Sequence, residues 1–204
     1  GRVSYRSNNT DTPEPYEINI TLFDAMKESF NKEVNLYVER FICIHAIMLS
    51  LEGVPAFYIH SLFGTRNDYA LYKQTNQNRS LNRGKIKISD IDLSNESEPQ
   101  SYIFLQLKKL MLIRKKQPAF HPNAVQFTLH LGNNLYGIWR QSLDKKQSIF
   151  CISNLTDAVV KLSLLDLNLI GFDHWRDIIS EIEIDDITSE IELRPYQTMW
   201  LTNL

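Results

Sequence analysis

The stretch from Gly53 to Ile86, GVPAFYIHSLFGTRNDYALYKQTNQNRSLNRGKI, constrains the fold more than any other part of the chain. Gly-Val-Pro ends a preceding helical run, because the residue before proline is driven out of the helical region and proline has no N–H to give a helix. Ala56 to Ile59 is then a short apolar run containing Phe57 and Tyr58, the pattern of a parallel strand buried on both faces. A long polar loop follows, carrying Arg66, Asn67, Asp68, Arg79, Asn82 and Arg83. Helix, buried strand and polar loop at the strand's C-terminal end make one unit of an α/β barrel. In such barrels that loop faces the active site.

Upstream, Gly1 to Pro15 is polar and rich in turn signals, which predicts a loop. Asn31 or Asn35 can open the next helix, whose apolar residues Val38, Phe41, Ile42, Ala46, Met48 and Leu49 recur mostly at three- and four-residue steps. His45 inside it reads as a satisfied core residue, and His60 as part of a pocket wall. Downstream, Ser89 to Gln100 is polar and acidic, and a helix is predicted from about Ser101 to Lys116. Its cationic end, with Lys108, Lys109, Arg114, Lys115 and Lys116, reads as a solvated face that complements the helix dipole.

Beyond Pro122 the period changes. Val125–Leu131, Leu135–Arg140, Gln147–Ile152, Val159–Leu165, Trp175–Ile179 and Glu190–Leu201 are short runs rich in branched and aromatic residues. Turn signals such as Gly132-Asn133-Asn134 and Asp144-Lys145-Lys146 separate them. NLYGIWR against SIFCISN predicts an antiparallel hairpin, and the carboxylates alternating with isoleucines over Asp177–Glu192 predict an exposed edge strand. The chain is therefore read as α/β over residues 1–118 followed by a small all-β domain over 119–204; the family resemblance given below implies that these are the C-terminal end of a (β/α)8 barrel and an appended antiparallel β-sandwich. A complete barrel takes ~250 residues, so 204 residues hold only part of one.

Composition removes several classes of function. Net charge is −2 and pI about 6.2, without the basic footprint of a nucleic-acid binder. No apolar run approaches the ~20 residues of a membrane span. Cys43 and Cys151 lie far apart, one in a helical and one in a strand pattern, so they are expected as two thiols in a reducing cytoplasm.

Three ordered pieces, GVPAFYIH, GTRND and NRSLNR, resemble the last barrel strand and following loop of the sucrose phosphorylase group within the α-amylase superfamily of retaining glycosidases. PYEINITLFDAM, from Pro15 to Met26, resembles the family's loop between barrel strands seven and eight. The closing LRPYQTMWL resembles the last strand of the β-domain appended in that superfamily. The resemblance implies a covalent glycosyl-enzyme attacked by phosphate, with the nucleophile, the acid/base and a stabilising aspartate all outside this chain. No catalytic residue, metal or cofactor is therefore assigned here, and Asp24, Asp68 and Glu28 are not given catalytic roles.

What the resemblance does assign is binding. Arg79 matches the arginine that reaches the terminal glucosyl unit, where a fixed guanidinium fork can hold two oxygens. Tyr16 matches the residue that offers a hydroxyl to phosphate. Glu17 stands where sucrose phosphorylases usually carry Gln, and a carboxylate cannot donate as an amide can. That departure counts against free sucrose and is similar to relatives acting on glucosylglycerate, glucosylglycerol or sucrose 6-phosphate; among these, RVSYR joined to PYEIN most resembles the glucosylglycerate branch. The implied partners are a small glucoside and inorganic phosphate, with no nucleic acid and no membrane, and an oligomeric state the sequence does not specify. A hydrolase or transglucosidase of the same superfamily, and an inactive remnant, are the alternatives.

Overall fold

The computed structural model describes residues 1–7, 12–28, 34–87, 89, 91, 93, 95, 97–167, 169 and 175–204. It falls into two compact units. One combines Gly1–Lys32 with Phe57–Leu105; the other combines Glu33–Ala56 with Gln106–Leu204.

The first unit opens with β1 (Arg2–Arg6) and β2 (Glu14–Asn19), paired antiparallel where a loop was expected. α1 (Leu22–Glu28) starts behind Thr21, whose Oγ1 accepts from the Asp24 N–H at 3.3 Å. The expected strand at 56–59 does not form. Tyr58 is extended, but Ile59 opens the short helix α3 (Ile59–Leu62), and Tyr58 and Ile59 are about half exposed. A strand exists only through hydrogen bonds to a neighbour, and no described residues pair with this run. The polar loop beyond it is also more ordered than its composition implies. α4 (Tyr69–Thr75) is capped by Asp68, which accepts from the Leu71 N–H at 2.7 Å, and a 3-10 turn follows at Asn78–Asn82.

Gly64 shows why the GTRND piece needs its first residue. Its φ of 53° is left-handed, and a Cβ there would meet Ile103 Cδ1 at 2.5 Å. Ile103 belongs to α5 (Pro99–Lys115), the helix expected from about Ser101. Phe104 on the same helix stacks on Phe63 at 5.1 Å.

The second unit holds α2 (Val34–Ser50) and the strands from β3 onward. Of the two proposed helix starts, Asn35 lies inside the first turn and Asn31 lies outside the described residues. β3 (Val125–Leu129), β4 (Leu135–Gln141), β5 (Ser148–Asn154), β7 (Trp175–Asp177), β8 (Ile182–Ile184) and β10 (Thr198–Thr202) form an antiparallel sheet in the order β3-β4-β5-β10-β7-β8. β6 (Val160–Ser163) pairs with β9 (Glu190–Leu193) in a second, two-stranded sheet. The β4–β5 hairpin is the one expected, and β8 is an edge strand, as its carboxylates suggested.

Leu135, Phe150, Ile152, Leu162, Leu164, Trp175, Leu193 and Leu201 are buried in one core fed by both sheets. The run from Glu190 to Leu201 is two strands rather than one, broken at Arg194–Gln197, where Tyr196 sits at φ 55°. Asp177, read as part of a solvated face, is 1% exposed. Its carboxylate accepts from the N–H groups of Trp200, Ile179 and Ser180 and from the Ser180 hydroxyl.

Two guanidinium groups stand at the C-terminal end of α2, which has no basic residue in its own last turn. Arg114 donates to the carbonyls of Leu49 (2.7 Å) and Gly53 (3.1 Å). This residue was expected on a solvated face of α5. It instead supplies another helix with donors for the carbonyls that a helix end leaves unpaired. Arg140, fully buried, donates to Ser50 O (2.9 Å), His121 O (3.0 Å) and Ala124 O (3.3 Å). Both guanidinium groups lie over the Phe120 ring. Burial lowers the pKa of each, and proximity to Arg114 lowers that of Arg140 further.

Cys43 and Cys151 are free and buried, and burial pushes the Cys151 thiol far above its ordinary range. His45 is 4% exposed with Nδ1 2.7 Å from Phe41 O, the satisfied core residue expected. None of the helices among the described residues is long and apolar enough to cross a membrane.

Candidate sugar and phosphate site

The first unit brings Tyr16, Glu17 and Arg79 together. Two polar side chains fix the 3-10 turn carrying Arg79 against the hairpin. Asn78 Nδ2 donates to Val3 O and to Ser4 Oγ, both at 3.2 Å, and buried Asn19 donates to the same Ser4 Oγ at 2.8 Å. Ser4 thereby ties the end of β2 to a turn far along the chain.

The hairpin itself aims the side chains. Ser4 is opposite Glu17 and Tyr5 is opposite Pro15, which leaves Tyr16 as an extra residue with no partner in register. In a regular strand Tyr16 and Glu17 would point to opposite faces. A bulge removes that alternation and re-aims a side chain. Here both residues act on Arg79: its Nε donates to Glu17 Oε2 at 3.0 Å, and Tyr16 lies near enough to favour its charge. Glu17, and Tyr16 less strongly, raise the guanidinium pKa above its ordinary value.

The ion pair is open to water, with side-chain exposures of 52% for Arg79 and 29% for Glu17. Solvent screening makes such a pair weak and easily exchanged for a ligand oxygen. The ring of Tyr16 is half exposed, and the Arg6 guanidinium lies over it at 5.5 Å. Arg6 closes the RVSYR motif, but its approach to Tyr16 depends on the strand pairing and was not legible in the sequence.

The rest of the loop is structural. Asp24 accepts from the Asn67 N–H and Asn67 Oδ1 from the Thr21 N–H, each at 2.8 Å, so Asp24 and Asp68 are both spent on ordering loops. Asn82 O accepts from the Tyr58 hydroxyl at 3.2 Å. A groove of about 420 Å³ lies beside these residues, lined by His60, Thr65, Arg66, Asn67, Asp68 and Gly84 among others; Tyr16, Glu17 and Arg79 are not part of it. His60 forms a wall of the groove as expected, with Nδ1 2.7 Å from Thr65 Oγ1, and burial lowers its pKa.

No protein-family model matches the chain. By fold the chain is similar to solved structures of AmyP. The structure with maltotriose superposes at a TM-score of 0.64 with 18% identity, covering 82% of this chain and 35% of that one. The structure with maltose gives 0.66 and 17%, over 84% and 35%. By sequence the chain is a homologue of the C-terminal portion of glucosylglycerate phosphorylases. It is 36% identical to the Escherichia coli enzyme and 33% identical to that of Allomeiothermus silvanus, each over 98% of this chain. A sucrose phosphorylase of Agrobacterium vitis matches at 28% over 52% of the chain. The chain spans about a third of the length of the glucosylglycerate phosphorylases, 34% in both cases.

Proposed function

We propose that the chain is the C-terminal part of a retaining α-glucoside phosphorylase. That enzyme moves a glucosyl unit from a small α-glucoside, glucosylglycerate first among them, to inorganic phosphate and releases α-glucose 1-phosphate. The observation that carries this reading is the convergence of Tyr16, Glu17 and Arg79, with Arg79 and Glu17 62 positions apart, in a chain homologous to such enzymes.

In this reading Arg79 gives up its exposed bond to Glu17 and holds the terminal glucosyl oxygens with its planar fork. Tyr16 supplies a hydroxyl to the incoming phosphate, and Glu17 lies on the side of the leaving group. The nucleophile, the acid/base and the stabilising aspartate come from the rest of the enzyme. Residues 1–118 are then the end of its (β/α)8 barrel and 119–204 its appended β-domain. The extended run before α3 gains strand neighbours from the remainder of the barrel. Free buried thiols at Cys43 and Cys151 suit a cytoplasmic enzyme.

The test is a chimera in which this chain replaces the matching third of the E. coli enzyme. Glucose 1-phosphate release is assayed from glucosylglycerate, sucrose 6-phosphate, glucosylglycerol and sucrose. Phosphate-dependent release, best from glucosylglycerate, is expected. A folded chimera that only hydrolyses these donors, or ignores them, overturns the reading.

A further inference from the structure

Arg79 already has an anionic partner in Glu17, whereas the cation over the Tyr16 ring closes no ion pair among the described residues, although Glu14 stands opposite it in the β1–β2 register. This cation, Arg6, sits at the end of β1, exposed, with its guanidinium 5.5 Å from the Tyr16 ring centroid. A cation resting on an aromatic face is held in place while its N–H donors stay free at the edge. The same hairpin repeats the device: Arg2, at the other end of β1, lies 4.9 Å over the Tyr72 ring. Beside Glu17, an anionic ligand group would be repelled unless a positive group stood next to it.

We propose that Arg6 is a specificity-determining residue that receives an oxyanion group of the ligand at the Tyr16 edge, with the carboxylate of the leaving group favoured over inorganic phosphate. This rests on the reading of the chain as a phosphorylase only for the identity of the ligand. The recognition chemistry is a planar guanidinium fork meeting two coplanar oxygens. A neutral leaving group such as glycerol offers Arg6 nothing to bind.

Two measurements separate the possibilities. In the chimera described above, Arg6→Gln should raise KM for glucosylglycerate by about tenfold or more, the loss of a charge-assisted bond, and leave KM for glucosylglycerol unchanged. If KM for phosphate rises instead, equally with both donors, the oxyanion Arg6 receives is phosphate. Arg6→Lys should restore part of the loss, since charge returns without the fork. Unchanged constants for glucosylglycerate and for phosphate overturn the proposal.

Equilibrium binding makes the outcome independent of catalysis. The 204-residue chain is titrated with D-glycerate, glycerol and inorganic phosphate while the arginine Nε–H resonances are followed. Saturable binding of glycerate or phosphate that Arg6→Gln abolishes upholds the proposal even if the chimera turns nothing over. If neither anion binds, or if each binds equally well to Arg6→Gln, the proposal is wrong whatever the chimera does.

Discussion

Arg140 is a fully buried guanidinium that bonds to three backbone carbonyls, and replacing it by methionine tests what holds the end of α2. Methionine matches the length of the stem and removes every donor. A hydrogen bond from a charged donor contributes ~1.5–3 kcal/mol, and a buried carbonyl left without a donor costs ~1–3 kcal/mol. Against that, removing a buried cation recovers several kcal/mol of desolvation. The carbonyl of Ser50 lies at a helix end, where no backbone N–H can replace the lost donor. We therefore expect Arg140→Met to lose ~2–4 kcal/mol net. With a urea slope of ~2 kcal/mol/M this moves the unfolding midpoint down by ~1–2 M.

The assay is urea unfolding of the dilute 204-residue chain followed by tryptophan fluorescence. All three tryptophans, Trp139, Trp175 and Trp200, lie in the second unit, so the signal reports that unit alone. Arg140→Lys should fall between the two, because one ammonium keeps the charge but cannot span three carbonyls. A methionine variant as stable as the parent, or more so, would refute the reasoning. Arg140 would then be a desolvation burden that its bonds only offset.

Three further outcomes follow from the site and the core. In the chimera, Arg79→Lys should lower kcat/KM for the preferred donor by at least ~tenfold, because a point charge cannot keep both contacts of the fork; near-parent kinetics would make Arg79 structural. Glu17→Gln should reorder the four donors by roughly ten- to a hundredfold while barely changing glucose recognition, and an unchanged ranking in a ranked assay would remove Glu17 from the leaving-group side. His45 is buried with its pKa below the ordinary 6.5, so the unfolded chain takes up the proton first. Its contribution is complete above pH 6.5 and is lost as pH falls through the folded value. The urea midpoint should drop over that window, and His45→Leu should flatten the slope.

What the sequence revealed depended on how local the cause was. The β4–β5 hairpin and α5 were legible because a turn signal, an alternation or a helical period is written in neighbouring residues. The run at 56–59 carried the composition of a buried strand, but pairing is supplied by other segments, and the described residues offer it none. The hairpin of β1 and β2 was hidden because its residues read as loop and its order comes from cross-strand bonds through Ser4, Asn19 and Asn78.

Arg114 looked like a helix-end cation on a wet surface. Its partners are the carbonyls of Leu49 and Gly53, 65 and 61 positions away, which no local pattern records. Tyr16, Glu17 and Arg79 were legible as residue types through resemblance, while their meeting, and the approach of Arg6, follow from a strand register that no single residue encodes.

The unpaired position of Tyr16 makes the choice of ligand sensitive to chain length as well as to residue type. Removing Tyr16 or Glu17 from β2 would restore an unbroken ladder in which the one that remains stands opposite Ser4, since side chains alternate strictly along a regular strand. A single-codon deletion would thus take either the hydroxyl or the carboxylate away from Arg79 while leaving every other residue unchanged. Relatives with altered leaving-group preference could therefore arise by a slip in length, and a comparison that aligns residues without gaps would miss the event.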